Sequence, residues 1–238
     1  MPSHARQDMR EIAKADMDIV VHMFSHTDWD RHSRIMKDIF KISEDEGLEV
    51  WVDNWGLGGP PGDKSHFLSY HPDAHMLLSN GNLLPVNVCL NHPEYRKFVK
   101  DWIDTVKDAG AKTIMWDEPN IPKRKADDGT EVYGCCCPIC KKLFEEKYGR
   151  PMPLVADADV EKFRTDTILD FFRDITGYSA SLGLKNMVTV MLEPCHAIYI
   201  DNLDELCAID TIHNIGTDPY WCSRSNPVDP YERVYLGA

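Results

Sequence analysis

Three times along this chain an amphipathic helix is followed by a glycine and then by a short apolar strand, and that unit restricts the fold more than any other feature. In the first, Ile35, Met36, Ile39, Phe40 and Ile42 line one face of a helix over Asp30–Glu46; Gly47 follows, and Leu48–Val52 is the strand. In the second, Tyr95, Phe98, Val99, Trp102, Ile103 and Val106 lie at helical spacing over Glu94–Ala109, ahead of Gly110 and Thr113–Trp116. The third runs over Asp159–Leu182 with Phe163, Ile168, Phe171, Phe172, Ile175 and Tyr178, then Gly183 and Met187–Leu192. Apolar residues at three- and four-residue spacing put one greasy stripe on each helix. A glycine after the last turn accepts the left-handed conformation that turns the chain back. The strands are continuous apolar runs, the pattern of parallel strands covered on both faces. Asp18–Phe24, Leu84–Val88 and Asp210–Ile215 read as three more strands. Strand and helix in alternation predict an α/β protein with a parallel sheet.

A doubly wound sheet and a barrel both satisfy that alternation. A dinucleotide-binding sheet places a glycine-rich phosphate loop after its first strand, and none is present here. Polar and aromatic residues follow the strands instead: His26 and Asp28; Asp53, Asn54 and Trp55; Asp117 and Glu118; Glu193; Asp218, Tyr220 and Trp221. Such side chains at the carboxyl ends of several strands describe the working face of a (β/α)8 TIM-type barrel. About six strands are recognisable, whereas an eight-stranded barrel takes about 250 residues. The expectation is a single (β/α)-barrel domain over residues 1–238, incomplete in its C-terminal strands. A Cys-rich loop at about residues 119–150 is inserted after the fourth strand.

The 238 residues carry 26 Lys and Arg against 39 Asp and Glu, a net charge of −13. That surface repels nucleic-acid phosphates and anionic membranes, so neither is an expected partner. No apolar run approaches the roughly 20 residues of a membrane span. Met1–Asp18 is polar and lacks a signal-peptide apolar region, so a cytoplasmic protein is expected. An incomplete barrel would expose apolar strand edges, which favours a homo-oligomer.

The eight cysteines are too sparse for a disulfide scaffold, yet Cys135, Cys136, Cys137 and Cys140 crowd together. That clustering reads as metal ligation in a reducing compartment. The C-x-C-x-x-C spacing lets Cys135, Cys137 and Cys140 converge on one tetrahedral Zn2+. Cys89, at the end of the strand Leu84–Val88, is the candidate fourth ligand, because in a barrel that end lies beside the loop after the next strand. Four thiolates make a closed, structural zinc site; the competing reading is a set of free cysteines in a loop. Cys136 is expected to point away, and Cys195, Cys207 and Cys222 read as small buried residues.

Trp116-Asp117-Glu118-Pro119 ends the fourth strand. Glycosidic cleavage needs one carboxyl to protonate the leaving oxygen and a second to attack or to activate water. A Glu flanked by Trp at a strand end suits the acid role, although a helix-capping or ion-paired carboxylate reads equally well. Asp53, Glu193 and Asp218 also end strands and are candidates for the second carboxylate or for binding substrate hydroxyls. Pro194 and Pro219 hold the preceding carboxylates extended, as Pro119 does Glu118. Trp55, Trp116, Tyr220 and Trp221 are candidates for stacking on sugar faces. His22, His26 and His213 lie near strand ends, with His22 a further candidate for contacting substrate, but no HxH or HExxH spacing marks a catalytic metal. No G-x-S-x-G or P-loop sequence is present.

Taken in order, Cys89-Leu90-Asn91-His92-Pro93-Glu94-Tyr95, Trp116-Asp117-Glu118, Cys135-x-Cys137-x-x-Cys140 and Phe144-x-x-x-Tyr148-Gly149 resemble glycoside hydrolase family 42, the zinc-containing β-galactosidases. The resemblance covers about a quarter of the chain. It implies a clan-A-like barrel, Glu118 as the general acid/base, and zinc on the four cysteines. Asp117 stands where that family has an Asn that contacts the sugar 2-hydroxyl, and the family's strand-seven nucleophile has no counterpart here. The whole chain is similar to a group of bacterial glycosidase-like barrels with a Trp-Asp-Glu-Pro motif. A glycoside hydrolase-like enzyme acting on a carbohydrate is therefore the first expectation. A non-hydrolytic carbohydrate-binding barrel or inactive fragment is the second. A metal-dependent sugar lyase or isomerase working through His22, His26 or His213 is the third.

Overall fold

A computed structural model describes residues 2–55, 65–117, 121–190 and 203–216. In chain order the elements are α1 (Pro2–Lys14), β1 (Ile19–Met23), a π-helical turn at Asp28–His32, α2 (Ser33–Asp45), β2 (Glu49–Asp53), α3 (Phe67–Tyr70), a 3-10 turn at Pro72–Ala74, β3 (His75–Leu77), β4 (Leu83–Val88), α4 (Pro93–Ala109), β5 (Thr113–Trp116), β6 (Lys123–Lys125), β7 (Glu131–Tyr133), α5 (Pro138–Tyr148), α6 (Ala158–Ser181), β8 (Lys185–Thr189), α7 (Leu203–Cys207) and β9 (Asn214–Gly216). Five strands form one sheet in the order β1-β2-β5-β8-β9, and every pair in it is parallel. Helices α2, α4 and α6 cover one face of it, as the helical periodicity predicts. No helix of the described residues is long and apolar enough to cross a membrane.

The register sorts side chains between the two faces, because residues paired across parallel strands point the same way and neighbours along a strand point oppositely. Val52 pairs with Ile114, Ile114 with Asn186, and Trp116 with Val188; these side chains face the helices. There they meet Phe40 of α2, Trp102 and Ile103 of α4, and Phe172 and Ile175 of α6, all inaccessible to solvent. The Trp102 indole Nε1 donates to the Phe24 carbonyl at 2.8 Å, which ties α4 to the end of β1. Gly110 closes α4 at φ 103°, its N–H bonded to the Lys107 carbonyl; a side chain at that angle would be strained.

Burial on both faces, the expectation from the apolar strands, holds for the helix face alone at β1. Ile19, Val21 and Met23 point to the other face and are 43%, 43% and 49% exposed. Among the described residues β1 and β9 each pair with one neighbour, so the inner face is not enclosed there. The stretch Leu84–Val88 also differs from its expected place. It is not a barrel strand: β4 pairs antiparallel with β3 in a separate hairpin, His75 opposite Val88 and Leu77 opposite Leu83. That hairpin is an excursion between β2 and α4, so β5 is the third strand of the parallel sheet rather than the fourth. The start of the chain, read from sequence only as polar, forms α1, which Arg6 and Arg10 tie to Glu46 at the end of α2 at 2.6 and 3.0 Å.

Candidate functional site

In a parallel sheet all carboxyl ends lie at one mouth, and β2 and β5 are neighbours there. Asp53, the last residue of β2, points to the inner face, paired with Met115 of β5. Its Oδ1 accepts the Trp55 N–H at 2.8 Å, which folds the chain back over the strand end. Burial raises the Asp53 pKa above the ordinary carboxylate value, and the Trp55 bond opposes this in part. Asn54 bridges the two strand ends: its N–H donates to the Met115 carbonyl at 3.2 Å and its Oδ1 accepts the Asp117 N–H at 2.8 Å. Asp53, Asn54, Trp55 and Asp117 are thereby assembled as one half-buried group. Glu118 follows Asp117 in the chain; Glu118, Glu193, Asp218, Tyr220 and Trp221 lie outside the described residues, as do Cys195 and Cys222.

Two of the residues expected to touch substrate lie elsewhere. Trp116 faces the helices, 2% exposed, edge-on to Trp102 at 5.9 Å, with its Nε1 donating to Asn186 Oδ1 at 3.0 Å. The parity of the strand decides this: Met115 and Asp117 point inward, so Trp116 points out, and its ring is a core element with no face for a sugar. His22 shares the helix side of β1, stacked on Phe40 at 5.4 Å with Nε2 3.0 Å from Ser43 Oγ. Burial lowers its pKa.

The three histidines do not converge. His26 follows β1 among aromatic rings and accepts the His66 N–H at 3.1 Å. His213 precedes β9, at the end of the sheet opposite the mouth, where its Nδ1 accepts the Asn186 N–H at 3.2 Å.

The cysteines do converge. Among the described residues Cys89, Cys135, Cys137 and Cys140 are the one group of three or more metal-ligating side chains close enough to share an ion, with all four sulfurs within 4.8 Å of one another. Cys89 Sγ lies 3.5 Å from both Cys137 and Cys140 Sγ, too far for a disulfide and close to the roughly 3.8 Å edge of a tetrahedron with 2.3 Å bonds. All four are at most 4% exposed. Cys137 is the residue that ionises most readily, because its hydrogen bonds with Cys135, Cys140 and Cys89 favour its thiolate. Cys89 and Cys140 are pushed up by the same partners, since further thiolates would sit against the first. A dication removes that conflict, so the donor set fits a thiophilic metal. Cys136 is turned away onto the Tyr133 carbonyl at 3.6 Å, and burial pushes its thiol up to about 12.

Two separate segments supply the sulfurs. Cys89 directly follows β4; Cys135 and Cys137 follow β7; Cys140 sits in the first turn of α5, which Pro138 opens. The hairpins meet through Cys136 N–H to the Leu77 carbonyl at 2.7 Å and Ser79 N–H to the Tyr133 carbonyl at 2.8 Å. Gly134 permits this approach, since a Cβ there would stand 3.0 Å from Met76 Sδ. Asn91 Nδ2 donates to Cys140 Sγ at 3.4 Å, an interaction that steadies a thiolate.

Arg164 is a residue that the sequence reading passed over. It lies on the buried stripe of α6, 4% exposed. Its Nε donates to the Gly134 carbonyl at 3.1 Å and its Nη2 to the Ile121 carbonyl at 2.6 Å, while Nη1 pairs with Glu161. Gly134 and Ile121 are the two ends of the β6–β7 hairpin, so one guanidinium holds the loop between the barrel mouth and the cysteines. The signal was an Arg between Phe163 and Ile168 on an otherwise apolar helix face, where a charge persists only if it is fully partnered.

No protein-family model matches the sequence. No curated protein matches it either. Among solved structures the chain is similar to the catalytic domain of the β-amylase from Paenibacillus polymyxa, with TM-score 0.64 and 10% identity, over 98% of this chain and 77% of that one. It is also similar to the β-N-acetylhexosaminidase from Bacteroides fragilis, with TM-score 0.54 and 16% identity, over 92% of this chain and 47% of that one. A D-psicose 3-epimerase from Clostridium cellulolyticum H10 is matched at TM-score 0.48 and 11% identity, over 89% of this chain and 56% of that one, too weakly to bear on this chain. At these identities the likeness concerns the fold, and the fold is that of a TIM barrel, incomplete among the described residues.

Proposed function

We propose that this chain is a carbohydrate-active barrel enzyme of glycoside hydrolase type, with Glu118 as general acid/base. The observation that carries the reading is the Asn54 bridge, which anchors the residue before Glu118 beside the half-buried Asp53 at the ends of adjacent strands. Glycosidic cleavage requires two carboxyl groups flanking the scissile bond. Asp53, Glu193 or Asp218 supplies the second carboxylate, and Trp55, Tyr220 and Trp221 bind sugar with Asp117. The fold likeness to two glycoside-processing enzymes supports the same class, and the order of motifs resembling glycoside hydrolase family 42 supports the assignment of Glu118.

The four cysteines, in this proposal, hold a structural Zn2+ that joins the loop after β4 to the loop after β7 and to α5. The ion would act as a cross-link, with no free position for chemistry. Retained thiols accord with a reducing, cytoplasmic setting, and the exposed inner face of β1 accords with self-association.

Hydrolysis of a panel of aryl glycosides by the wild type and by Glu118→Gln tests the proposal. Activity that collapses in the variant on substrates with poor leaving groups, and survives on activated ones, supports Glu118 as the acid. Equal activity in both overturns that role. Silence of a folded, metal-loaded wild type across the panel overturns hydrolysis of those sugars and favours a carbohydrate-binding barrel.

A further inference from the structure

A second concave site shares none of its lining residues with the Asp53–Asp117 group, and nothing in the proposed chemistry uses it. A cleft of about 330 Å3 opens between the turn after β1, helix α3 and the first half of α4. Volumes of this order hold small ligands. Its walls include Trp29, Phe67, Tyr70 and Phe98. Phe98 is the centre of the cluster, 5.3 Å from Trp29 and 5.0 Å from Phe67 between ring centroids. Phe67 is buried and sets the floor, whereas Tyr70 is 77% exposed at the rim. Helices of a barrel start at the end where the preceding strands finish, so the first half of α4 is on the working side of the fold.

The charges around the rings narrow the ligand. Glu94, Lys97 and Asp101 border the cleft on successive turns of α4, with Lys97 Nζ 2.6 Å from Asp101. Two carboxylates against one ammonium disfavour a phosphate or carboxylate ligand. The Lys97 ammonium, 68% exposed at the rim and paired with Asp101, is a positive charge that an organic cation drawn to the aromatic walls would have to approach. A purely apolar occupant would make no use of the three charged groups that border the cleft, which remain exposed at its rim. A neutral polyol suits all three constraints: its C–H face stacks on rings and its hydroxyls both donate to the carboxylates and accept from Lys97.

We infer that this cleft is an accessory saccharide-binding site, distinct from the mouth of the barrel, with Trp29 and Tyr70 as its stacking platform. The inference extends the proposed carbohydrate chemistry to a second site, but its test requires no turnover.

Titration calorimetry with cellobiose, lactose, maltose and N,N′-diacetylchitobiose, and with tetramethylammonium chloride as the cationic control, reads the site directly. The expected result is saturable binding of at least one disaccharide, weakened about tenfold or more by Trp29→Ala and by Tyr70→Ala, with Asp53→Asn retaining it. Tyr70 is exposed at the rim, so its truncation tests binding without risk to folding. Binding that falls with Asp53→Asn and ignores Trp29→Ala and Tyr70→Ala belongs to the mouth and overturns the inference. So does binding of tetramethylammonium with none of the sugars, and so does the absence of saturable binding across the panel. Disaccharide binding together with silence on the aryl glycosides would count against the catalytic proposal and leave this one standing.

Discussion

Replacing Trp116 by Phe separates a core role from a sugar-stacking role, and the structure sets the size of the effect. The indole donates one hydrogen bond, to Asn186 Oδ1. That oxygen also accepts from Ser179 Oγ at 2.7 Å, so losing the indole leaves it partnered, and the cost is the net value of one bond, about 1 kcal/mol. The smaller ring leaves roughly 40 Å3 unfilled beside Trp102, which at about 24 cal/mol per Å3 adds about 1 kcal/mol. The sum is about 2 kcal/mol, or a fall in Tm of about 4–8 °C for a chain of this size. Thermal unfolding followed by far-ultraviolet circular dichroism reads the Tm, and urea unfolding checks the free energy. Because the ring points to the helices, KM for any glycoside the chain hydrolyses should change less than about twofold, a few tenths of a kcal/mol. An unchanged Tm together with a KM raised about fivefold or more would refute the placement of Trp116 and restore it to the sugar site.

Metal analysis should find one zinc per chain, and its removal by a strong chelator, or by Cys140→Ser, should lower stability by about 3 kcal/mol or more at saturating metal; four thiols titratable in a protein whose Tm ignores zinc would count against the site. Arg164→Met should cost about 3–5 kcal/mol, because the Ile121 and Gly134 carbonyls lose their shared donor and Glu161 its buried partner; a urea midpoint within error of wild type would show that the clamp is dispensable. The Asp53 carboxyl is held above its ordinary value of 3.8 by burial, so the folded state resists its ionisation. The contribution of this carboxyl to stability is therefore lost as pH rises from that ordinary value through the raised one, a loss that Asp53→Asn does not share. The Tm of the variant should gain on wild type across that interval and then hold a constant lead; a difference independent of pH would contradict the burial.

Much of the fold was legible because helices and their ends are local. The stripe Tyr95, Val99, Trp102, Ile103 and Val106 and the Gly110 that closes it are contained in one stretch of chain, and α4 has the length that the spacing predicts. The cysteine cluster was legible for a similar reason: three of its sulfurs lie within six residues, and few environments other than a metal bring such a set together. The strand Leu84–Val88 shows where local reading stops. A short apolar run has the same pattern as a buried parallel strand and as one arm of a hairpin, and only the partner distinguishes them. Signals for the hairpin were present in the Asn80-Gly81 turn and in Pro85, which a central strand does not accept.

Residue order along the chain thus determined the α/β layering, the helices with their glycine ends and the thiol set, because periodicity and spacing are properties of a single segment. Tertiary structure alone decided which face each strand residue occupies, and with it the fate of Trp116 and His22. It also decided that Asn54 joins two strand ends and that Arg164, 30 residues from Gly134 and 43 from Ile121, holds the loop beside the cysteines. Those facts depend on register and on contacts between distant segments, and the free energy that selects them comes from burial and hydrogen bonds that exist only once the segments have met.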